Sequence, residues 1–139
     1  MSKRILCAID GTEHAATAIG QAARLASATG AELIILAVNE LSGAYGHGGA
    51  LTYIWQEADL KKILDTAKVA AVKAGVANPK MVSVGSRDVA RAFAVYAEDN
   101  HCDHIVVGTG GKSTVTRLML GSVSRDVVFR SHCSVTVAR

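Results

Sequence analysis

The feature that most constrains this chain is an alternation. Five short apolar runs, KRILCAI (3–9), AELIILAV (31–38), KMVSV (80–84), HIVVG (104–108) and CSVTVAR (133–139), are separated by stretches whose apolar residues recur at helical spacing. The first such stretch starts at Thr12, carries Ala15, Ile19, Ala22, Ala23 and Ala26 on one face, and stops at Gly30. The second, over 53–74, aligns Leu60, Ile63, Leu64, Ala67, Ala71 and Ala74, with Lys61, Lys62, Lys68 and Lys73 towards water. Val89, Ala90, Phe93, Ala94 and Ala97 mark a third helix and residues 122–130 a fourth. Runs that are apolar throughout are strands covered on both faces. Strands alternating with helices form a parallel sheet, because right-handed crossovers lay each helix back onto it. The expectation is one α/β domain over 1–139, a doubly wound parallel sheet with helices on both faces. The glycine-rich segment NELSGAYGHGGALT (39–52) is expected as a loop.

In such sheets a ligand lies beyond the carboxyl ends of the strands, at the point where strand order reverses. That rule puts Asp10, Val38 and Gly108 on one rim. Beyond Gly108 the chain reads GGKST (110–114), which imitates the phosphate loop of nucleotide hydrolases but fails on spacing. G-x-x-x-x-G-K-[ST] requires glycine at position 106, where the chain has Val106. The dinucleotide pattern G-x-G-x-x-G fails too, because Gly108 and Gly110 are followed by Ser113 where the third glycine belongs. The spacing present is G-x2-G-x9-G-S, formed by Gly108, Gly111, Gly121 and Ser122. A strand end without Cβ atoms admits a phosphate to the backbone, and a helix start offers unpaired N–H groups at the positive end of its dipole. Ser122 and Ser124 can add hydroxyl donors, and Lys112 and Arg117 can neutralise phosphate charge.

That glycine spacing resembles the nucleotide-binding branch of the universal stress protein family, whose pattern is G-x2-G-x9-G-[ST]. The similarity runs along the whole chain: ILCAIDGT near the start, the Gly85 turn before the third helix, DHIVVGTGG, LGSVSRDVV and HCSVTVA. The resemblance implies a five-stranded sheet in the order 3-2-1-4-5, of the adenine nucleotide alpha hydrolase-like type, with ATP, ADP or AMP across the strand ends and Mg2+ or Mn2+ on the phosphates. It assigns Asp10 to the ribose, the backbone of Val38 to the adenine, and Gly108, Gly111, Gly121 and Ser122 to the phosphates. It extends the site to Ala8, Ile9, Gly11 and Thr12 at the end of the first strand, and to Thr109, Lys112, Arg117, Val123 and Ser124 around the glycines. It also implies a homodimer through the C-terminal strand. The chain departs from the family in having Cys133-Ser134-Val135 where Cys-Pro-Val is usual, and in lacking a proline before Asp10.

Several function classes are disfavoured. No apolar run reaches the roughly 18 residues of a membrane span, and the apolar run before Asp10 is too short for a secretory signal, so a cytoplasmic location is expected. The net charge of +3 comes from scattered basic residues without interleaved aromatics, which speaks against a nucleic-acid partner. Cys7, Cys102 and Cys133 form neither a disulfide framework nor a zinc clasp. His101, Cys102, Asp103 and His104 are consecutive on a chain entering a strand, so their side chains alternate between faces and no metal site is expected. Asp10 has a second reading as a turn former or helix cap, and Lys112 and Arg117 as solvated loop charges. The functional expectation is a nucleotide-binding stress regulator or sensor. The alternative is a slow ATP hydrolase or phosphotransferase, and an empty-pocket scaffold or a flavin or nicotinamide module stands further off.

Overall fold

A computed structural model of the protein describes residues 3–12, 14–43, 50–109 and 121–139. The elements, in chain order, are β1 (Arg4–Ile9), α1 (His14–Thr29), β2 (Glu32–Ser42), β3 (Thr52–Tyr53), α2 (Glu57–Lys73), β4 (Lys80–Ser86), α3 (Val89–Asp99), β5 (His104–Gly108), α4 (Ser122–Arg130) and β6 (Ser134–Ala138). Five strands are parallel, in the order β4-β2-β1-β5-β6. Apart from the short β3, this is the expected 3-2-1-4-5 arrangement. β1 is central, with Cys7 opposite Ile35 on one side and Val106 on the other.

Period-two alternation in the buried strands feeds two cores. Ile5, Cys7, Ile9, Leu33, Ile35 and Val106 face α1 and α2, where Ala18, Ala22, Ala23, Ala67 and Ala71 let the helices sit close to the sheet. Leu6, Ala8, Ile34, Leu36, Val38, Ile105 and Val107 face the other side and pack under Ala90, Phe93, Ala97 and Val127 of α3 and α4. The central strands β1 and β5 and residues 33–38 of β2 are hydrophobic almost throughout because neither face there is left to water, whereas the edge strands β4 and β6 carry exposed and half-buried positions.

Three sequence expectations change. The sheet has six strands and is mixed, since β3 adds to the end of β2 in antiparallel register, Leu41 opposite Tyr53 and Ser42 opposite Thr52. β2 accordingly continues to Ser42, four residues past the expected end of the second strand, and α2 begins only at Glu57. Gly85 is not in a turn. It lies inside β4 under the ring of Tyr53, and a Cβ there would stand 2.5 Å from Tyr53 Cε1. None of the three is visible as periodicity, because a two-residue strand has none.

Candidate functional site

At the carboxyl end of the sheet the chain leaves β1 through a tight turn. The Asp10 carboxylate accepts from the Thr12 amide at 2.9 Å and from the Thr12 hydroxyl at 2.6 Å, both on Oδ1. This Asx turn is the structural role weighed for Asp10, and it leaves Oδ2 out of both bonds. Gly11 takes φ 77°, which favours glycine, and a Cβ there would also crowd the side-chain ends at Ile63 Cδ1 (2.9 Å) and Trp55 Cζ2 (3.1 Å).

Across the rim, β5 ends at Gly108 and α4 starts at Ser122. Two hydrogen bonds join them: Gly121 N–H donates to Thr109 O at 2.9 Å, and Ser124 Oγ donates to Gly108 O at 2.5 Å. Strand end and helix start are therefore neighbours, as the glycine spacing required. Ser124 is buried and its proton is committed to Gly108, so its hydroxyl serves the corner of the fold. Gly111, Lys112 and Arg117 lie outside the described residues.

The start of α4 differs from those of α2 and α3. α2 has Glu57 and Asp59 in its first turn, and α3 is capped by Asp88, whose carboxylate accepts from Arg91 N–H at 3.1 Å. α4 begins with Gly121 as N-cap, no side-chain cap and no acid in its first turn. The amides of Ser122, Val123 and Ser124 precede the first intrahelical donor, Arg125 N–H to Gly121 O. An uncompensated positive helix end is thus directed at the rim.

Ala8, Ile9, Asp10, Val38, Gly108, Gly121, Ser122, Val123 and Ser124 all line one cavity of about 200 Å³. A single water needs only roughly 10–15 Å³ of such space, so the cavity has room for a small-molecule ligand. Gly11 and Thr12 line a separate groove between α1 and α2. Thr109 stands at the corner through its carbonyl.

Further wall residues escaped sequence reasoning: Ile54 and Trp55 after β3, Val89 and Phe93 from α3, Ala15 from α1, Val107 from β5, and Glu40 in its own right as a rim carboxylate. Val89 and Phe93 were legible only as core stripe, and Ile54 and Trp55 lay at the head of an apparent helix.

The remaining candidates do other work. Burial pushes the Cys7 thiol up to about 12 and the Cys102 thiol up to about 11, and it raises Cys133, so none is poised as a thiolate near neutrality. Asp103 accepts the Arg4 amide at 3.0 Å, and His104 Nε2 lies 2.6 Å from Thr136 Oγ1, with burial holding the imidazole below its usual pKa. Among the described residues, no group of three or more His, Cys, Asp or Glu is placed to hold a metal ion, and no helix is long and apolar enough to cross a membrane.

Comparison with known proteins gives the family and the fold. The model of the universal stress protein family matches residues 1–139. The universal stress protein YxiE of Bacillus subtilis (strain 168) is 33% identical over 150 aligned positions, covering 100% of both chains. A universal stress protein of Thermus aquaticus, encoded in the QAH/OAS sulfhydrylase 3′ region, is 34% identical over 143 positions, again covering 100% of each. Among solved structures, a universal stress protein in complex with cAMP superposes with a TM-score of 0.75 at 26% identity, over 99% of this chain and 96% of that one. With a match over its full length and the five-stranded parallel core described above, the chain belongs to the universal stress protein family.

Proposed function

We propose that this protein binds an adenine nucleotide at the carboxyl end of its sheet and acts in the cytoplasm as a nucleotide-dependent stress regulator or sensor. One observation carries the reading. The uncapped, acid-free start of α4 meets the end of β5 at Gly108, in a cavity that also holds Asp10 and Val38. The phosphates would lie on the amides of Ser122, Val123 and Ser124, where the helix dipole favours negative charge. The ribose would lie by Asp10, and the base between Val38 and the apolar wall. The related structure with bound cAMP supports an adenine ligand.

The nucleotide is read here as a signal. The described lining offers the carboxylates of Asp10 and Glu40, and Asp10 already spends one oxygen on Thr12. A Mg2+ or Mn2+ ion bound with ATP would neutralise phosphate charge. β6, at the edge of the sheet beyond β5, would pair with its twin in a homodimer, and α4, which leads into β6, leaves Phe129 81% exposed.

Calorimetry and thermal shift with ATP and GTP test the proposal. ATP at about 100 times its Kd should add about 2.7 kcal/mol of stability and raise Tm by several degrees, with a smaller effect of GTP. No heat and no Tm shift with any adenylate, in protein freed of carried-over ligand, would refute it.

A further inference from the structure

One wall of the cavity comes from Ile54 and Trp55, and a single buried amide holds both backbone groups of Trp55. Asn39, 8% exposed, lies in β2 next to Val38. Its Nδ2 donates to Trp55 O at 2.9 Å and its Oδ1 accepts from Trp55 N–H at 3.0 Å. The neighbouring links follow the same direction: Ile54 N–H donates to Glu40 O at 2.9 Å, Tyr53 and Thr52 pair with Leu41 and Ser42, and the Tyr53 ring covers Gly85. Ile54 is 53% exposed although it lines the cavity, and Trp55 lines it while packing on the α1–α2 core.

Holding one residue's N–H and C=O at once takes a donor and an acceptor on one short planar group. Asparagine supplies both, aspartate only acceptors, and alanine neither. A buried amide satisfied on both sides is also rigid, because breaking either bond leaves a desolvated polar atom.

We propose that Asn39 is a positioning residue for the base of the ligand: with the β2–β3 ladder it holds Ile54 and Trp55 as a preformed apolar wall, so that base-dependent affinity resides in Ile54 and Trp55 and phosphate affinity at α4. The inference rests on the nucleotide reading above. A wall ordered before binding costs the complex no ordering entropy, which is how a distant amide improves affinity without touching the ligand.

Trp55 is the sole tryptophan of the chain, so its fluorescence reports the wall directly. Asn39→Asp, Asn39→Ala and Ile54→Ala are compared with wild type by circular dichroism, by Trp55 emission without ligand, and by calorimetry with ATP and with inorganic tripolyphosphate, which has no base. The expected result is a native circular dichroism spectrum, a red-shifted Trp55 in the Asn39 variants, an ATP Kd raised roughly tenfold, the worth of about one net hydrogen bond, and an unchanged tripolyphosphate Kd.

Folded Asn39 variants that bind ATP like wild type overturn the inference, as does an equal loss for both ligands. Should Asn39→Ala not fold, Asn39→Asp and the exposed Ile54→Ala decide, and an Ile54→Ala protein with wild-type ATP affinity overturns the wall assignment. Wild type that binds neither ligand refutes the nucleotide reading itself, and the inference falls with it.

Discussion

Gly121 stands at the N-cap of α4 with φ −61° and ψ 159°, a conformation open to every residue, so backbone strain does not account for its missing side chain. Folding alone would favour Asp, Asn or Ser there, since each caps free amides. Gly121→Asp separates the two demands. The carboxylate should hold or raise apo stability by a few tenths of a kcal/mol, yet it occupies the amides an anion needs and repels phosphate. Thermal melts without ligand and calorimetry with ATP check both halves, and wild-type ATP affinity in the aspartate variant would remove the phosphates from α4. Asp88 shows the opposite arrangement. Its carboxylate caps α3 through Arg91 N–H and meets Arg130 of α4 at 2.8 Å, and the amide bond first, then Arg130, holds its pKa below the usual range. Because the folded state binds this proton less tightly than the unfolded one, the cap's contribution is complete above the ordinary carboxylate pKa and is lost as pH falls through the lowered folded value. Asp88→Ala should cost on the order of 1 kcal/mol at neutral pH, and the gap from wild type should close in denaturation series taken below about pH 4.

Among the elements, α1, α2 and α3 stop in the same way. Ala31 N–H reaches back to Ala26 O, Val76 to Ala71 and Cys102 to Ala97, each across a residue of positive φ: Gly30 at 70°, Gly75 at 105° and His101 at 54°. This six-to-one closure satisfies carbonyls that the helix ends would otherwise leave open and turns the chain away from the helix axis towards the next strand. Glycine adopts that conformation without strain, whereas a residue with a Cβ pays roughly 1–2 kcal/mol. Gly30 has nothing within 4 Å of an added Cβ, so Gly30→Ala should lose about 1 kcal/mol from backbone strain alone, and His101→Gly should gain about 0.5–1 kcal/mol. Urea midpoints measure both, and opposite signs are the expectation. Gly30 was legible as a stop because glycine marks one. His101 was not, because nothing about histidine announces a left-handed residue.

For the whole molecule, the two sheet edges are unequal. β4 forms one edge with Tyr53 laid across its Gly85, while β6 forms the other and is β-branched at Val135, Thr136 and Val137. An edge strand with open backbone groups is a template for pairing. Sedimentation equilibrium at tens of micromolar should give twice the 14.5 kDa chain mass, and a monomer with native circular dichroism would count against pairing through β6. Nucleotide and dimer would then occupy different parts of the molecule, strand ends for the one and a sheet edge for the other, joined through β5 and α4.

What the sequence determined by itself was everything written as a local period or a fixed spacing. Five apolar runs and four helical stripes imply a parallel sheet with two cores because residue spacing alone decides which faces are buried, and G-x2-G-x9-G-S brings Gly108 to Gly121 because a strand end and the next helix start are adjacent in such a sheet. Tertiary structure decided what depends on partners far along the chain. The clamp between Asn39 and Trp55 spans 16 residues, the Tyr53 cover on Gly85 spans more, and neither leaves a period behind. Val89 and Phe93 are core by their stripe and cavity wall only by where α3 ends up. Periodicity records that a side chain is withdrawn from water. Which neighbour withdraws it, and whether a cavity remains between them, is settled when the elements pack.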